Sequence, residues 1–192
     1  MERNNAFSHV VASLRAGKPA VFPTDTVYGL GVSVLHARTP EAIYDIKQRD
    51  AGKPIAWLVD SPDALARFGM DVPERAFELA KRHWPGALTI IVKASDEVPE
   101  AFRAVSGTIG LRMPASDTAL ALMHELGSPL ATSSANLSGG IAPQSIDEVD
   151  EALLERVDAV LSDNAPRSGR ASTVIDCSKG SLDVIRPGDI SV

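Results

Sequence analysis

Punctuation constrains this chain more tightly than any other feature of its sequence. Thirteen prolines are spread over 192 residues, and most fall where a helix would start or a strand would end. Thr39-Pro40 and Ser61-Pro62 each set a capping hydroxyl before a proline, the residue best suited to a first helical turn. Gly17, Gly69 and Gly127 follow apolar stretches as helix stops.

Two periodicities alternate between these marks. Phe7, Val10, Val11 and Leu14 recur at i, i+3, i+4 and i+7, the spacing of a helix with one buried face. Further helices are expected from Thr39 onward, with Ile43 and Ile46 inward, and over 61–69, 73–83 and 116–126. Ser145-Ile146-Asp147-Glu148 has the form of a capping box and predicts a helix running through Leu154. Short apolar runs at 20–22, 55–59, 87–92, 108–113, 157–161, 172–176 and 184–186, with another from Leu130, read as strands. Irregular alternation of this kind predicts an α/β fold: one domain over 1–192, built on a twisted mixed sheet flanked by helices.

Composition excludes several classes. Hydrophobic residues make up 44% and the net charge is −6, too apolar for a disordered chain. The longest apolar run, Ala87 to Val92, is far short of the ~20 residues that span a bilayer, so no membrane association is expected. The first residues show no signal peptide, and Cys177, the single cysteine, has no partner for an internal disulfide; both favour a cytoplasmic location. There is no P-loop, no H-E-x-x-H and no G-x-S-x-G, so zinc and serine-nucleophile chemistry are not expected, and no protein-bound metal site is visible.

What remains is a set of polar clusters. Phe22-Pro23-Thr24-Asp25-Thr26-Val27-Tyr28-Gly29-Leu30-Gly31 reads as a strand entering a turn, with two hydroxyls, a carboxylate and a phenol before flexible glycines. Lys47-Gln48-Arg49 sits at the end of a helix. Residues two apart do not share a helical face, so the two cations converge only if the helix unwinds near Gln48, as Gly52 and Pro54 suggest. Thr132-Ser133-Ser134-Ala135-Asn136 follows a strand and is dense in hydroxyl and amide groups of the kind that cradle phosphate. Thr108 to Arg112, Ser172-Thr173 and Arg186-Pro187-Gly188 add cations and hydroxyls at strand edges. A site of several cations and hydroxyls with no activated nucleophile suits the positioning of a nucleoside triphosphate and an acid substrate.

Six motifs stand in one order: Pro23 to Gly31, the Lys-x-Arg at 47–49, Trp84-Pro85-Gly86, Arg112-Met113-Pro114, the Ser-x-Asn at 134–136 and Arg186-Pro187-Gly188. In these the chain resembles the YrdC/TsaC family of threonylcarbamoyl-AMP synthases over nearly its whole length, in what looks like the short bacterial form without a further C-terminal domain. The resemblance implies a YrdC-like fold with a concave basic cavity. It also implies the condensation of L-threonine, bicarbonate or CO2 and ATP into threonylcarbamoyl-AMP and pyrophosphate, a nucleotidyl transfer. A downstream tRNA threonylcarbamoyl-transferase complex would then modify tRNA adenosine, and weak tRNA contact by this chain belongs to the same picture.

Carried over motif by motif, the resemblance assigns Lys47 and Arg49 to catalysis. It gives ATP to Lys47, Arg49, Lys53, Thr108, Ser134, Asn136 and Arg186, with Mg2+ accompanying the phosphates and no permanently bound cofactor. Threonine falls to Thr26, Tyr28, Arg112, Thr132 and Ser172. The chain departs from relatives at Asp50, where many have proline, at Ser133, where proline is usual, and at Leu58, where some carry a threonine-contacting histidine. Two other readings stand beside this one: a non-catalytic protein binding structured RNA, and the carbamoyl-transfer module of hydrogenase-maturation proteins.

Overall fold

The computed structural model describes residues 2–192, with side chains from Asn5 onward. Its helices are α1 (Glu2–Arg15), α2 (Glu41–Lys47), α3 (Ala64–Phe68), α4 (Glu74–His83), α5 (Asp117–Leu126) and α6 (Glu151–Leu154). Its strands are β1 (Ala20–Pro23), β2 (Tyr28–Ser33), β3 (Ala56–Leu58), β4 (Gly69–Met70) and β5 (Leu88–Ala94), followed by β6 (Thr108–Arg112), β7 (Leu130–Ser134), β8 (Ala159–Val160), β9 (Thr173–Asp176) and β10 (Asp183–Arg186). One sheet takes them in the order β10-β9-β5-β6-β3-β7-β2-β1-β8, with β4 pairing the far end of β5. The pairs β1–β8, β3–β6 and β5–β9 are parallel and the others antiparallel, so the expected mixed α/β sheet is present.

The sheet has two unlike faces, because alternate residues of each strand point to opposite sides. On one face Leu30, Trp57, Leu88, Ile90, Ile109, Leu111 and Ile175 form the main core with the inner residues of α2, α3 and α4. On the other, α1 and α5 bring Val10, Leu14, Leu122 and Leu126 over Phe22, Leu58 and Leu130. The α5 start is fixed as the sequence suggests: Ser116 caps it by accepting from the Ala119 N–H, and Gly127 closes it at φ 60°. These two helices cover one end of their face. Towards β9 the same face carries Ala56, Gly110, Thr89 and Thr132 in place of large apolar side chains. A concavity is left there.

Two expectations are corrected. The glycines at 29 and 31 are not a flexible loop but the middle of β2, every residue of which is buried. Their lack of side chains serves close packing: a Cβ on Gly31 would lie 2.9 Å from the Ala131 carbonyl oxygen and 3.0 Å from Phe22 Cε1. The Ser145–Glu148 segment does not open a helix through Leu154. It forms a single 3-10 turn at Ile146–Glu148, the Ser145 side chain caps nothing, and the Glu148 carboxylate accepts from the Gln144 N–H at 2.8 Å. The helix starts at Asp150 instead, whose side chain accepts from the Ala152 N–H.

Candidate active site

The concavity is a cavity of about 280 Å3, near the lower end of ligand-sized pockets (~300–1,000 Å3). Its floor is the bare stretch of sheet: Ala56 and Leu58 of β3, Thr89 and Ile91 of β5, Thr108, Gly110 and Arg112 of β6, and Thr132 and Ser134 of β7. Its walls come from the Thr24–Gly29 corner, from Arg49 and Pro54 after α2, and from Ala171, Ser172 and Arg186.

Three guanidinium groups face this space, and no carboxylate lines it among the described residues. Arg112 is 7% exposed and firmly oriented. Its Nε donates to the Gly86 carbonyl at 3.0 Å, Nη1 to Thr26 Oγ1 at 2.9 Å and Nη2 to Asp25 Oδ1 at 2.6 Å. Burial pulls its pKa down, and Asp25 opposes that. Arg186 donates through Nε and Nη2 to the Ser172 carbonyl, and its pKa is lowered first by burial and then by Arg112 and Arg49. The three cations therefore feel one another. Arg49 donates through Nη2 to the Pro54 carbonyl at 3.3 Å, while its Nε is buried without a partner. An unpartnered buried donor among like charges is a place for an anion's oxygen.

Lys47 and Arg49 converge in the way the sequence requires. The helix stops at Lys47, and Gln48 turns left-handed at φ 50°. Lys47 does not line the cavity, however. It is 1% exposed, and its Nζ donates to the carbonyls of Ser134 and Asn136 and, at 3.4 Å, to Asn136 Oδ1. Burial and the neighbouring Arg49 lower its pKa from 10.5 to about 8. Its charge thus stands just behind the wall and holds the Ser134–Asn136 loop. The Asn136 amide donates to the carbonyls of Leu137 and Gly140, which shapes the same loop.

Of the residues singled out from sequence, Thr26, Tyr28, Arg49, Thr108, Arg112, Thr132, Ser134, Ser172 and Arg186 line the one cavity. Lys53 and Asn136 do not. Tyr28 is almost wholly buried, and the Arg167 guanidinium lies 4.3 Å above its ring centroid. Arg167 in turn pairs with Asp163, both nearly buried. Leu58 sits on the floor, across from Arg112 in register, so apolar surface occupies that place in this chain. Sequence reasoning missed Thr89, whose hydroxyl lies 2.8 Å from that of Ser172. Thr24 and Asp25 read from sequence as turn residues; Thr24 does bond the local backbone but also lines the cavity, and Asp25 pairs with Arg112.

A family model described as telomere recombination, for Sua5, YciO and YrdC proteins, matches residues 12–188. The threonylcarbamoyl-AMP synthase of Pyrococcus abyssi is 36% identical over 177 residues, which cover 92% of this chain but 52% of that one. The chain thus spans about half the length of that relative. A putative threonylcarbamoyl-AMP synthase of Mycobacterium tuberculosis is 34% identical over 191 residues, covering 99% of this chain and 87% of that protein. Among solved structures, P. abyssi Sua5 complexed with L-threonine superposes with a TM-score of 0.89 at 35% identity, covering 95% of this chain and 54% of that one. With the family model spanning most of the sequence and the fold shared at this level, the chain belongs to the Sua5/YciO/YrdC family.

Proposed function

We propose that this chain condenses ATP, L-threonine and bicarbonate or CO2 into threonylcarbamoyl-AMP, releasing pyrophosphate. The observation that carries this reading is the convergence of Arg49, Arg112 and Arg186 on one cavity lined with hydroxyls and, among the described residues, without a carboxylate. That set neutralises a polyphosphate and an acid together, and supplies no nucleophile of its own. The names of the similar synthases and the threonine-bound relative support the substrate assignment.

In this reading Arg49 and Arg186 hold the nucleotide phosphates, with Thr108 and the Ser134–Asn136 loop beside them. Arg112 takes the threonine carboxylate among Thr26, Thr132 and Ser172, the bidentate geometry suited to a guanidinium. The neutral amine of threonine forms an N–C bond either to CO2, giving up a proton to solvent, or to bicarbonate, with loss of water, and leaves a carbamate. A carbamate oxygen then forms a bond to the α-phosphorus as the bond to pyrophosphate breaks. Positive charge fixed in advance around the phosphates offsets the charge developing there. Lys47 adds its charge from behind the loop. Mg2+ would accompany the nucleotide phosphates as part of the substrate. The product would pass to a tRNA-modifying transferase in the cytoplasm. Among the described residues no helix is long and apolar enough to cross a membrane.

Pyrophosphate release from ATP tests the reading, with threonine and bicarbonate each present or omitted. Release that requires both is expected. Replacing Arg49 by alanine should slow it by an amount equivalent to about 2–4 kcal/mol of barrier. Release that ignores threonine, or binding of RNA with no turnover under any condition, would overturn it.

A further inference from the structure

Arg186 reaches the cavity from an insecure strand. β10 lies at the edge of the sheet, all four of its residues are exposed, and its pairing with β9 slips between Val184 and Arg186. Short exposed edges of this kind belong to the least stable parts of a fold. A guanidinium that must meet an anion in one place needs more than such a strand to hold it. The chain that follows β10 supplies the rest.

Pro187 has no N–H with which to extend the ladder, and the chain turns back across the start of β9. There the Asp189 N–H donates to the Ala171 carbonyl at 3.0 Å. The Thr173 hydroxyl accepts from the N–H groups of Gly188 at 3.1 Å and Ile190 at 3.3 Å, and donates to the Ile190 carbonyl at 2.5 Å. A hydroxyl has one proton to give and two lone pairs to share, so the tail uses this one completely. The approach is close: a Cβ on Gly188 would overlap the Thr173 nitrogen and the Ala171 carbonyl oxygen. Ile190 then packs against the main core.

These bonds close a ring. On one side Arg186 donates to the carbonyl and the hydroxyl of Ser172. On the other, Gly188 donates to Thr173, the residue after Ser172. Thr173 is itself fixed, being 1% exposed and donating its N–H to the Ala87 carbonyl at 2.9 Å. Ala171, Ser172 and Arg186 line the cavity and Thr173 does not, so its hydroxyl acts on the site from outside it.

We infer that Thr173 is a positioning residue: by fastening the 188–190 tail it holds Arg186 against the Ser172 carbonyl, where the guanidinium meets the nucleotide phosphates. This inference rests on the synthase reading proposed above.

A double-mutant cycle tests it, read as binding of α,β-methylene-ATP by calorimetry at a temperature where circular dichroism shows each variant folded. Thr173→Val keeps the shape of the side chain and removes its hydrogen bonds to the tail, and should weaken binding about 3- to 30-fold. Thr173→Ser keeps the hydroxyl and should bind as the wild type does. In an Arg186→Ala background Thr173→Val should change the affinity by less than about twofold, because the group it positions is gone. Wild-type affinity in folded Thr173→Val, or an equal loss in both backgrounds, would overturn the inference and leave the hydroxyl a role in stability alone. Ile190→Pro, which removes one of the N–H donors to Thr173, takes the place of the valine variant if that one does not fold. A wild-type chain that does not bind the analogue would instead overturn the synthase reading, and this inference with it.

Discussion

Lys47 allows the electrostatics behind the cavity to be tested without any substrate. Its side chain is buried, its Nζ is held by the carbonyls of Ser134 and Asn136, and its pKa is about 8 against 10.5 for the ordinary group. The sign of the resulting pH dependence follows from proton counting. Well below pH 8 the folded and unfolded chains both carry the proton, and well above 10.5 neither does. Between these limits the unfolded chain binds more protons, so stability contributed by this group rises with pH. The full interval corresponds to about 3 kcal/mol. Roughly 2 kcal/mol of it falls between about pH 7 and 9.5, within reach of urea denaturation. Lys47→Met removes the titration and leaves two carbonyls unpaired, a cost that does not vary with pH. The stability of wild type minus that of the variant should therefore climb by ~2 kcal/mol over that range. A difference that stays flat would mean that Lys47 is not a buried cation, and the account of the loop it holds would fail. A bound polyanion should raise the lysine's pKa and flatten the climb.

Gly31→Ala places a methyl group against the Ala131 backbone oxygen, which cannot swing aside, and should cost about 1–3 kcal/mol by thermal or chemical unfolding. Arg186→Ala removes one of three mutually repelling guanidinium groups, so it should leave the fold stable in the absence of ligand while weakening ATP binding about 10- to 100-fold by calorimetry.

Much of the fold was legible because its punctuation is local. Ser116 and Gly127 bracket α5 by hydrogen bonds within a few residues, and the sequence shows both ends. The unwinding at Gln48 could be inferred from what Lys47 and Arg49 would need. The reading failed where the deciding neighbour was distant. Gly29 and Gly31 look like a loop until β7 and Phe22 are seen pressing on them. Ser145 and Glu148 have the right spacing for a capping box, but Glu148 is drawn to the Gln144 N–H and the helix moves to Asp150. Thr89 was hidden in an apolar run, since only the placement of β5 between β6 and β9 brings it to Ser172. That Lys47 lies behind the cavity wall rather than in it depends likewise on a loop almost ninety residues further along the chain.

The order of the strands has a consequence for the chain as it is made. The cavity needs Ser172 and Arg186, which reach it only when β9 docks beside β5, some eighty residues earlier in the sequence, and β10 then pairs with β9. A growing polypeptide that has emerged from the ribosome only as far as α6 already holds Arg49 and Arg112 but lacks that flank. It can assemble most of its core from strands already made, as domains do when they fold from the N-terminal side during synthesis. The pocket closes around its third guanidinium only once the chain through residue 186 has emerged, so a chain halted before β10 lacks one wall of the cavity.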